Sequence, residues 1–279
     1  MRDPKPLVPV NLEGLEALAS ELLLPVKTNN ETLESVTPPN LRNPASYIFL
    51  PAKSHGSYSY SNTWVAKKRL GFDKDVEKVA KKLNLTVQNT AKEKDGHDYM
   101  GSINNKQSLD INEALGNITL NQRQYIDLFL LLKSGNVLDG NTARVSKSDI
   151  ESMLDEMLGK RDPWRGEWAS NRFRDVGGTL NIIYPIFKGG KWQEAIEPLE
   201  HYVKENCYVD LASFNKQGMP TRKSAQQEYK FGENIYFWYP SDGTVAWFGA
   251  GSDWAGLVCY WDPSNSRVSL GVRVARAKI

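Results

Sequence analysis

Hydrophobic residues recur at two different periods along this chain. Between about residues 70 and 160 the spacing is helical, as in the shared face of Val76, Ala80 and Leu83. Beyond residue 160 the period approaches two, in segments such as TLNIIYPIF, NCYVDLASF, ENIYFWYP and SLGVRVARAKI. An early apolar run, YIFL, ends at Pro51. One strand, a helical block and then several strands predict an α+β domain with a mostly antiparallel sheet.

Local signals predict where the helices of this block begin and end. Gly135 is the expected stop of one helix, and Gly159 is the expected left-handed residue after the next. Two capping boxes are predicted, formed by Thr119 with Gln122 and by Ser148 with Glu151. We therefore expect one helix over YIDLFLLL. A second is expected over the apolar stripe formed by Ile150, Met153, Leu154, Met157 and Leu158.

The first 42 residues have a different pattern from the rest. Leu12, Leu15, Leu18 and Leu22 have helical spacing until Pro25 interrupts it. A polar stretch broken by prolines follows and is typical of an arm. The chain is therefore predicted to consist of an N-terminal helix and arm at residues 1–42 and a main domain at residues 43–279.

The charge balance narrows the classes of function. The chain has 35 Lys and Arg against 33 Asp and Glu, a formal net charge of +2, which is too balanced for a molecule-wide field that collects nucleic acid. The basic stretch from Lys67 to Lys82 is interleaved with acidic residues, which favours a solvated helix face, with nucleic-acid binding as the alternative. Neither a membrane-spanning run nor a signal-peptide pattern is found. No membrane insertion is expected, and the location is cytoplasmic by default, with display on a surface or virion as the alternative.

Catalytic signatures are missing from the sequence. There is no GxGxxG, Walker A, HExxH or GxSxG motif, and the three histidines lie far apart. Cys207 and Cys259 do not have metal-site spacing, and a single disulfide between them is left open. No catalytic residue, cofactor or metal is predicted.

Aromatic residues are concentrated near the C-terminal end. Ten of the chain's 29 aromatic residues fall between residues 231 and 261. In the segment WFGAGSDWAGLVCYW, Phe248, Ala250 and Ser252, then Ala255, Leu257 and Cys259, alternate on one predicted face. Their neighbours are rich in Trp, Tyr, Gly and Asp, a composition typical of binding surfaces. The candidate binding positions are Trp247, Gly249, Gly251, Asp253, Trp254, Gly256, Val258, Tyr260, Trp261, Asp262 and Asn265.

The C-terminal segment TVAWFGAGSDWAGLVCYWDPSNSRVSLGVRVARAKI resembles the variable region of the variable proteins of diversity-generating retroelements, particularly the archaeal ones. It also looks like the receptor-binding end of the phage major tropism determinant. Upstream segments such as NPASYIFLPAKSHGSY, RDPWRGEW and ENIYFWYPSDGTVA look like the archaeal scaffold, so the resemblance covers roughly residues 43–279. The family has a C-type lectin fold of the formylglycine-generating-enzyme-like subgroup.

The resemblance implies a fixed scaffold in which codons for about residues 244–273 are rewritten by error-prone reverse transcription at template adenines. The candidate binding positions would be the diversified surface. Whether two of them belong to this surface is left open, because Trp261 matches a fixed tryptophan of the phage relative and Trp247 is also a candidate for the core. The fold further implies that the N- and C-terminal strands pair, with SYIFLP beside SLGVRVAR. The helical block would then lie on one side of the sheet and the variable segment on the other.

The function implied is non-catalytic recognition of a macromolecule, expected to be a protein, by a monomer. Trp254, Tyr260 and Trp261 would be the aromatic anchors. Calcium-dependent sugar binding is not expected, because the lectin motifs that hold calcium are missing. The alternatives are an enzyme of the formylglycine-generating type, a nucleic-acid binder, and a structural module that oligomerises through its aromatic end.

Overall fold

The computed structural model describes residues 41, 43–85, 89–92, 98–188 and 191–277. The predicted N-terminal helix lies outside these residues. The described part is α+β, with mostly antiparallel sheets, as predicted. None of its helices has the length and apolar character needed to cross a membrane.

The predicted helical block contains four helices within the described residues. They are α1 (Lys74–Lys82), α2 (Asn105–Ala114), α3 (Gln122–Ser134) and α4 (Lys147–Leu158). Two short strands, β5 (Asn89–Lys92) and β6 (Asp98–Met100), pair with each other between α1 and α2. The block is therefore interrupted by a small sheet.

Both predicted N-caps are wrong by two residues, and a capping box forms at α3 but not at α4. The box of α3 is formed by Asn121 and Gln124, since the Asn121 side chain accepts from the Gln124 N–H at 3.0 Å and Gln124 Oε1 accepts from the Asn121 N–H at 2.9 Å. Asparagine is a stronger N-cap than threonine, and the Thr119 hydroxyl instead accepts from Asn112 Nδ2 at 2.7 Å. In α4 the N-cap is Ser146, whose Oγ accepts from the Asp149 N–H at 3.1 Å.

The two predicted helix-ending glycines behave differently. Gly135 has φ of 71°, the left-handed conformation expected after α3. Gly159 is extended, with φ of −69° and ψ of 134°, so the left-handed prediction is wrong there. A Cβ at Gly159 would overlap Asp155 Oδ1, so this position requires glycine for space and not for handedness.

The N- and C-terminal strands share a sheet but do not pair directly, which corrects the prediction. The three-stranded sheet has the order β1 (Tyr47–Leu50), β4 (Thr63–Ala66) and β15 (Ala275–Ala277). Strand β4 lies between the other two, and all four of its residues are buried, as expected for a central strand. The segment between β1 and β4 forms the hairpin of β2 (Lys53–His55) and β3 (Tyr58–Tyr60).

The remaining strands form a larger sheet of eight strands. They are β7 (Arg165–Val176), β8 (Thr179–Lys188), β9 (Lys191–Pro198), β10 (Cys207–Asp210), β11 (Asn234–Trp238), β12 (Val245–Ala250), β13 (Ala255–Trp261) and β14 (Leu270–Gly271). The order is β10-β11-β13-β12-β7-β8-β9, with β14 beside β7. The β11–β13 and β14–β7 pairs are parallel, and the others are antiparallel.

Helices contribute to the cores on both faces of this sheet. The main core includes Phe129 of α3 and Met153 of α4. A second cluster includes Val76 of α1 and Ile111 of α2 together with Trp168 of β7. The expectation that the helical block lies on one side and the variable segment on the other is therefore wrong.

A buried ion network ties the C-terminal segment to both sheets. Arg273 is fully buried, and its guanidinium donates to Glu167 at 2.6 and 2.9 Å and to Glu156 at 3.0 Å. It also donates to the backbone oxygens of Ala66 and Lys67. Burial alone would lower the pKa of Arg273, but the two carboxylates outweigh it and raise the pKa, so the side chain stays charged. These contacts give Arg273 a structural role.

Candidate functional site

The predicted alternation of β12 and β13 is present in the structure. Phe248, Leu257 and Cys259 pack in the main core, where the Phe248 ring lies 5.2 Å from that of Phe129. Trp247 and Val258 belong to the second cluster. The two sets therefore project to opposite faces of the sheet, as expected for a period of two.

The second face is covered over much of its area, which corrects the expectation that all of its residues are outward-facing. Trp247 is 3% exposed and Val258 is 2% exposed, and both belong to the cluster that also contains Val76, Ile111 and Trp168. Gly249, Gly251 and Gly256 are buried as well. These five candidate positions contribute to packing and are not available to a ligand.

Each buried glycine lies directly beneath an indole ring. A Cβ at Gly256 would lie 2.7 Å from Cζ3 of Trp238, and one at Gly251 would lie 2.7 Å from Nε1 of Trp254. A Cβ at Gly249 would overlap the Trp247 ring. The missing side chains allow the tryptophans to lie close to the strands.

The other candidate positions reach the surface. Asp253 and Asp262 are exposed, and Tyr260 is 46% exposed. Trp254, Trp261 and Asn265 are partly buried. Ser252 was predicted to share the face of Phe248 and Ala250, but it is exposed and lies outside the core, because β12 ends at Ala250.

Six partly or largely exposed aromatic side chains form what we call the aromatic row. Its members are Tyr208, Tyr236, Trp238, Trp254, Trp261 and Tyr260. Consecutive ring centroids lie 4.9 Å apart for Tyr208 and Tyr236, 4.5 Å for Tyr236 and Trp238, and 4.9 Å for Trp238 and Trp254. The buried Trp247 ring connects the remaining members, at 6.1 Å from Trp254 and 5.4 Å from Trp261. Tyr260 follows at 6.1 Å from Trp261.

Three members of the row were missed by the sequence analysis. Tyr236 and Trp238 alternate with Phe237, which is fully buried in the main core, and this period of two was a usable signal. Tyr208 could not be placed from the sequence, because only the β10–β11 register sets it opposite Tyr236. The row thus joins three strands and a turn that are distant in the chain.

Polar groups accompany the aromatic row. Asp262 Oδ1 accepts from the backbone and hydroxyl of Ser264 at 2.8 and 2.7 Å, and these hydrogen bonds lower the pKa of Asp262. Burial raises the pKa of Tyr208, and the charge of Asp253 adds to the increase. The turn that carries Asp253 is therefore close to the Tyr208 end of the row.

The two cysteines are free, so the disulfide left open by the sequence is not formed. Burial raises the pKa of Cys207 and raises that of Cys259 well above its usual value. A nucleophilic or redox-active cysteine requires a shift in the opposite direction. Within the described residues, no group of three or more His, Cys, Asp or Glu side chains is arranged to hold a metal ion.

One histidine is less isolated than the sequence suggested. His55 Nε2 lies 2.7 Å from Oδ2 of the buried Asp127, which also binds Lys53 and Arg123, both at 2.8 Å. The Tyr60 hydroxyl donates to the same carboxylate at 2.9 Å. Burial lowers the pKa of His55, although Asp127 partly offsets the effect. This cluster attaches the β2–β3 hairpin to α3, so its role is structural. Of the other two histidines, His201 is exposed and His97 lies outside the described residues.

Comparisons with known proteins provide no relative from which a function could be transferred. No protein-family model, no curated protein and no solved structure matches this chain. The aromatic row is consequently the feature from which function has to be inferred.

Proposed function

We propose that this chain is a non-catalytic ligand-binding protein that presents a retroelement-diversified surface on a C-type lectin scaffold. The observation that supports this most directly is the aromatic row, which runs across β10, β11 and β13 and includes the turn before β13. Trp238, Trp254 and Trp261 of the row pack against the second cluster. Its ligand is a macromolecule, most simply a protein, and the chain acts as a monomer. The resemblance of residues 43–279 to archaeal variable proteins supports the scaffold and the mechanism of diversification.

The chemistry of the row suits protein recognition. Tyrosine and tryptophan provide large contact areas and lose little conformational entropy on binding, which is why they dominate paratopes and hot spots. Asp253, Asp262 and Asn265 add polar groups around the rings. Since the Trp238 and Trp254 rings rest on buried glycines, these two rings are preorganised before any ligand binds.

The burial pattern narrows the surface that diversification can use. Asp253, Trp254, Tyr260, Asp262 and Asn265 can change without emptying the core, because all five are partly or fully exposed. Trp254 and Trp261 are both partly exposed and pack on Trp247. Trp261 differs in that it also matches a fixed tryptophan of the phage relative, which favours its alternative role as a fixed scaffold residue. The five buried candidate positions identified above belong with the scaffold as well.

Sequencing of the gene and several kilobases downstream tests the proposal. We expect a reverse-transcriptase gene and a near-copy of the segment that encodes residues 244–273, with adenine-specific differences. These differences should fall at the codons of Asp253, Trp254, Tyr260, Asp262 and Asn265. Loss of either gene element, or differences concentrated at Gly249, Gly256 and Val258, would contradict the proposal.

Display libraries test binding directly. One library randomises the five exposed positions, and a matched control library randomises Trp247, Gly249, Gly251, Gly256 and Val258. Selection against lysozyme as a test protein should yield binders from the first library only, because the second should rarely fold. Equal surface expression of the two libraries, or binders from the control library alone, would contradict the distinction between exposed binding positions and buried scaffold positions.

The enzymatic alternative is disfavoured by the cysteines. Oxidation of a peptide cysteine of the formylglycine-generating type depends on reactive active-site thiols, whereas burial raises the pKa of both Cys207 and Cys259. A cysteine-peptide oxidation assay is expected to show no turnover above background. Activity that disappears in Cys207→Ser would instead support the enzyme.

A further inference from the structure

A cleft of about 720 Å³ lies between the β3 strand, the β8–β9 hairpin and the segment that joins α2 to α3. Its volume is in the range of small-molecule sites. It shares no residue with the aromatic row, so a role in macromolecular recognition does not account for it.

The cleft exists because two neighbouring strands separate. The β7–β8 ladder stops at the pair Arg172 and Ile183. Two residues farther along β8, Pro185 has no N–H to donate to a ladder. On β7, the Ser170 N–H donates to the backbone oxygen of Leu120 at 3.0 Å and not to β8. Strand β8 continues with β9 alone as its partner. The α2–α3 connection occupies the opening between the strands, so the cleft is built into the sheet.

One buried hydroxyl in the cleft lacks a partner. Ser170 lines the cleft, is only 2% exposed, and its Oγ makes no hydrogen bond. Other buried polar groups of the lining form hydrogen bonds. The Thr119 hydroxyl accepts from Asn112 Nδ2, and the Asn121 amide donates to the Tyr58 hydroxyl. Buried polar groups normally have partners, so an unpaired hydroxyl at a cleft wall is a group that a ligand could satisfy.

The walls combine neutral polar groups with apolar surface. Tyr58 and Tyr184 meet edge to face with centroids 5.2 Å apart, and Ile118, Ile183 and Pro185 add aliphatic surface. Such walls suit a ring whose faces are apolar and whose edge carries hydroxyl groups.

The charges around the cleft disfavour an anion. The charged residues of the lining are Glu113, Arg172 and Glu194. Arg172 is already paired with Glu194, which leaves Glu113 in excess. A phosphate or carboxylate would thus be desolvated without a free cation to compensate for the cost.

We propose that this cleft binds a neutral polyhydroxylated ring compound, whose hydroxyl groups bond to Ser170 while its ring contacts the tyrosine and isoleucine wall. The chemistry is shared by the sugar ring of a saccharide and that of an uncharged nucleoside. It differs in place and in ligand class from the function proposed for the aromatic row.

Binding is tested by titration calorimetry on the full chain with four probes. Methyl glucoside and adenosine are the neutral probes, and glucose 6-phosphate and AMP are their charged counterparts. At least one neutral probe should bind saturably, and its phosphorylated counterpart should bind about tenfold more weakly or not at all. The neutral probe that binds identifies the source of the ring. Failure of both neutral probes, or equal affinity for a phosphorylated counterpart, would overturn the proposal.

Variants locate the binding within the cleft. Ser59→Trp fills it from the exposed β3 side and should abolish binding, whereas Ser57→Trp, on the same hairpin but outside the lining, should not.

Ser170→Ala should weaken binding about three- to tenfold, while Tm stays the same or rises because an unpaired buried hydroxyl is removed. Ser224→Ala, which removes a buried hydroxyl that accepts from the Gln226 N–H, is the matched control and should leave affinity unchanged. Affinity that Ser59→Trp does not change would place the ligand elsewhere and refute the assignment.

Discussion

The two parts of segment 247–265 have similar compositions but different surroundings. In the strand part, Trp247, Gly249, Gly256 and Val258 lie beneath other side chains and hold the sheet together. In the turn and the end of β13, Asp253 and Tyr260 reach solvent. Tryptophan and glycine are therefore not sufficient signs of a binding surface. What decides their role is whether another element covers the same face.

The largest effect is expected at the strand that anchors the tail. Leu270→Asp places a charge at a position that is 0% exposed, and should lower the free energy of unfolding by about 4 kcal/mol. Val268→Asp is the matched control, because Val268 is 52% exposed two residues away, and it should cost less than about 0.5 kcal/mol. Urea unfolding monitored by circular dichroism gives both values. Equal destabilisation would remove the distinction between scaffold and surface.

A smaller but still large effect is expected at the glycine beneath Trp238. The Cβ of Gly256→Ala would collide with the Tyr236 backbone oxygen and lie 2.7 Å from the Trp238 ring. Overpacking of this kind should cost about 2 kcal/mol and change tryptophan fluorescence as the row is displaced. Ser252→Ala, at an exposed position of the same segment, should change neither signal. If Gly256→Ala unfolds at the same denaturant concentration as the unchanged protein, the glycine is not a packing requirement.

Two neighbours on β13 provide the next comparison. Val258→Ala removes two methyl groups from the second cluster and should cost about 1.5 kcal/mol. Tyr260→Ala should cost about 0.5 kcal/mol or less, because its side chain is 46% exposed. Thermal unfolding of the two variants measures the difference. A reversed order would mean that the exposed end of β13 supports the fold and that the buried part does not.

The sequence pattern predicted much of the local structure. The period of two placed β8, β10 and β11, and the helical period together with Gly135 placed α3 and its end. These features depend on residues close together in the chain, which is why a pattern could reveal them. The sequence also predicted correctly which side chains of β12 and β13 share a face.

Long-range neighbours could not be predicted in the same way. Nothing in the local pattern of TWVA indicates that this strand lies between the terminal strands, or that Tyr208 pairs with Tyr236. The contact of His55 with Asp127 joins residues 72 positions apart, and the histidine consequently looked isolated. Trp247 likewise shares a cluster with Val76 of α1 and Ile111 of α2, far upstream, so the alternation predicted the face but not its exposure.

The smallest expected effect tests whether the turn and the aromatic row form one surface. Asp253 is exposed, so Asp253→Asn should change the free energy of unfolding by less than about 0.5 kcal/mol. Its charge nevertheless contributes to the raised pKa of Tyr208, second to burial. Without that negative charge the phenolate is less disfavoured, so the pKa of Tyr208 should fall part of the way toward its ordinary value. Titration of the assigned Tyr208 ring carbon by NMR measures this shift.

Asp262→Asn is the control for this titration. Asp262 is equally exposed, and its charge does not contribute to the Tyr208 shift. A Tyr208 titration that is the same in Asp253→Asn as in the parent would separate the turn from the β10 end of the row. The carboxylate of Asp253 would then not belong to the part of the surface formed by Tyr208. A lowered pKa in Asp253→Asn alone would instead place the turn beside Tyr208, as the proposed binding surface requires.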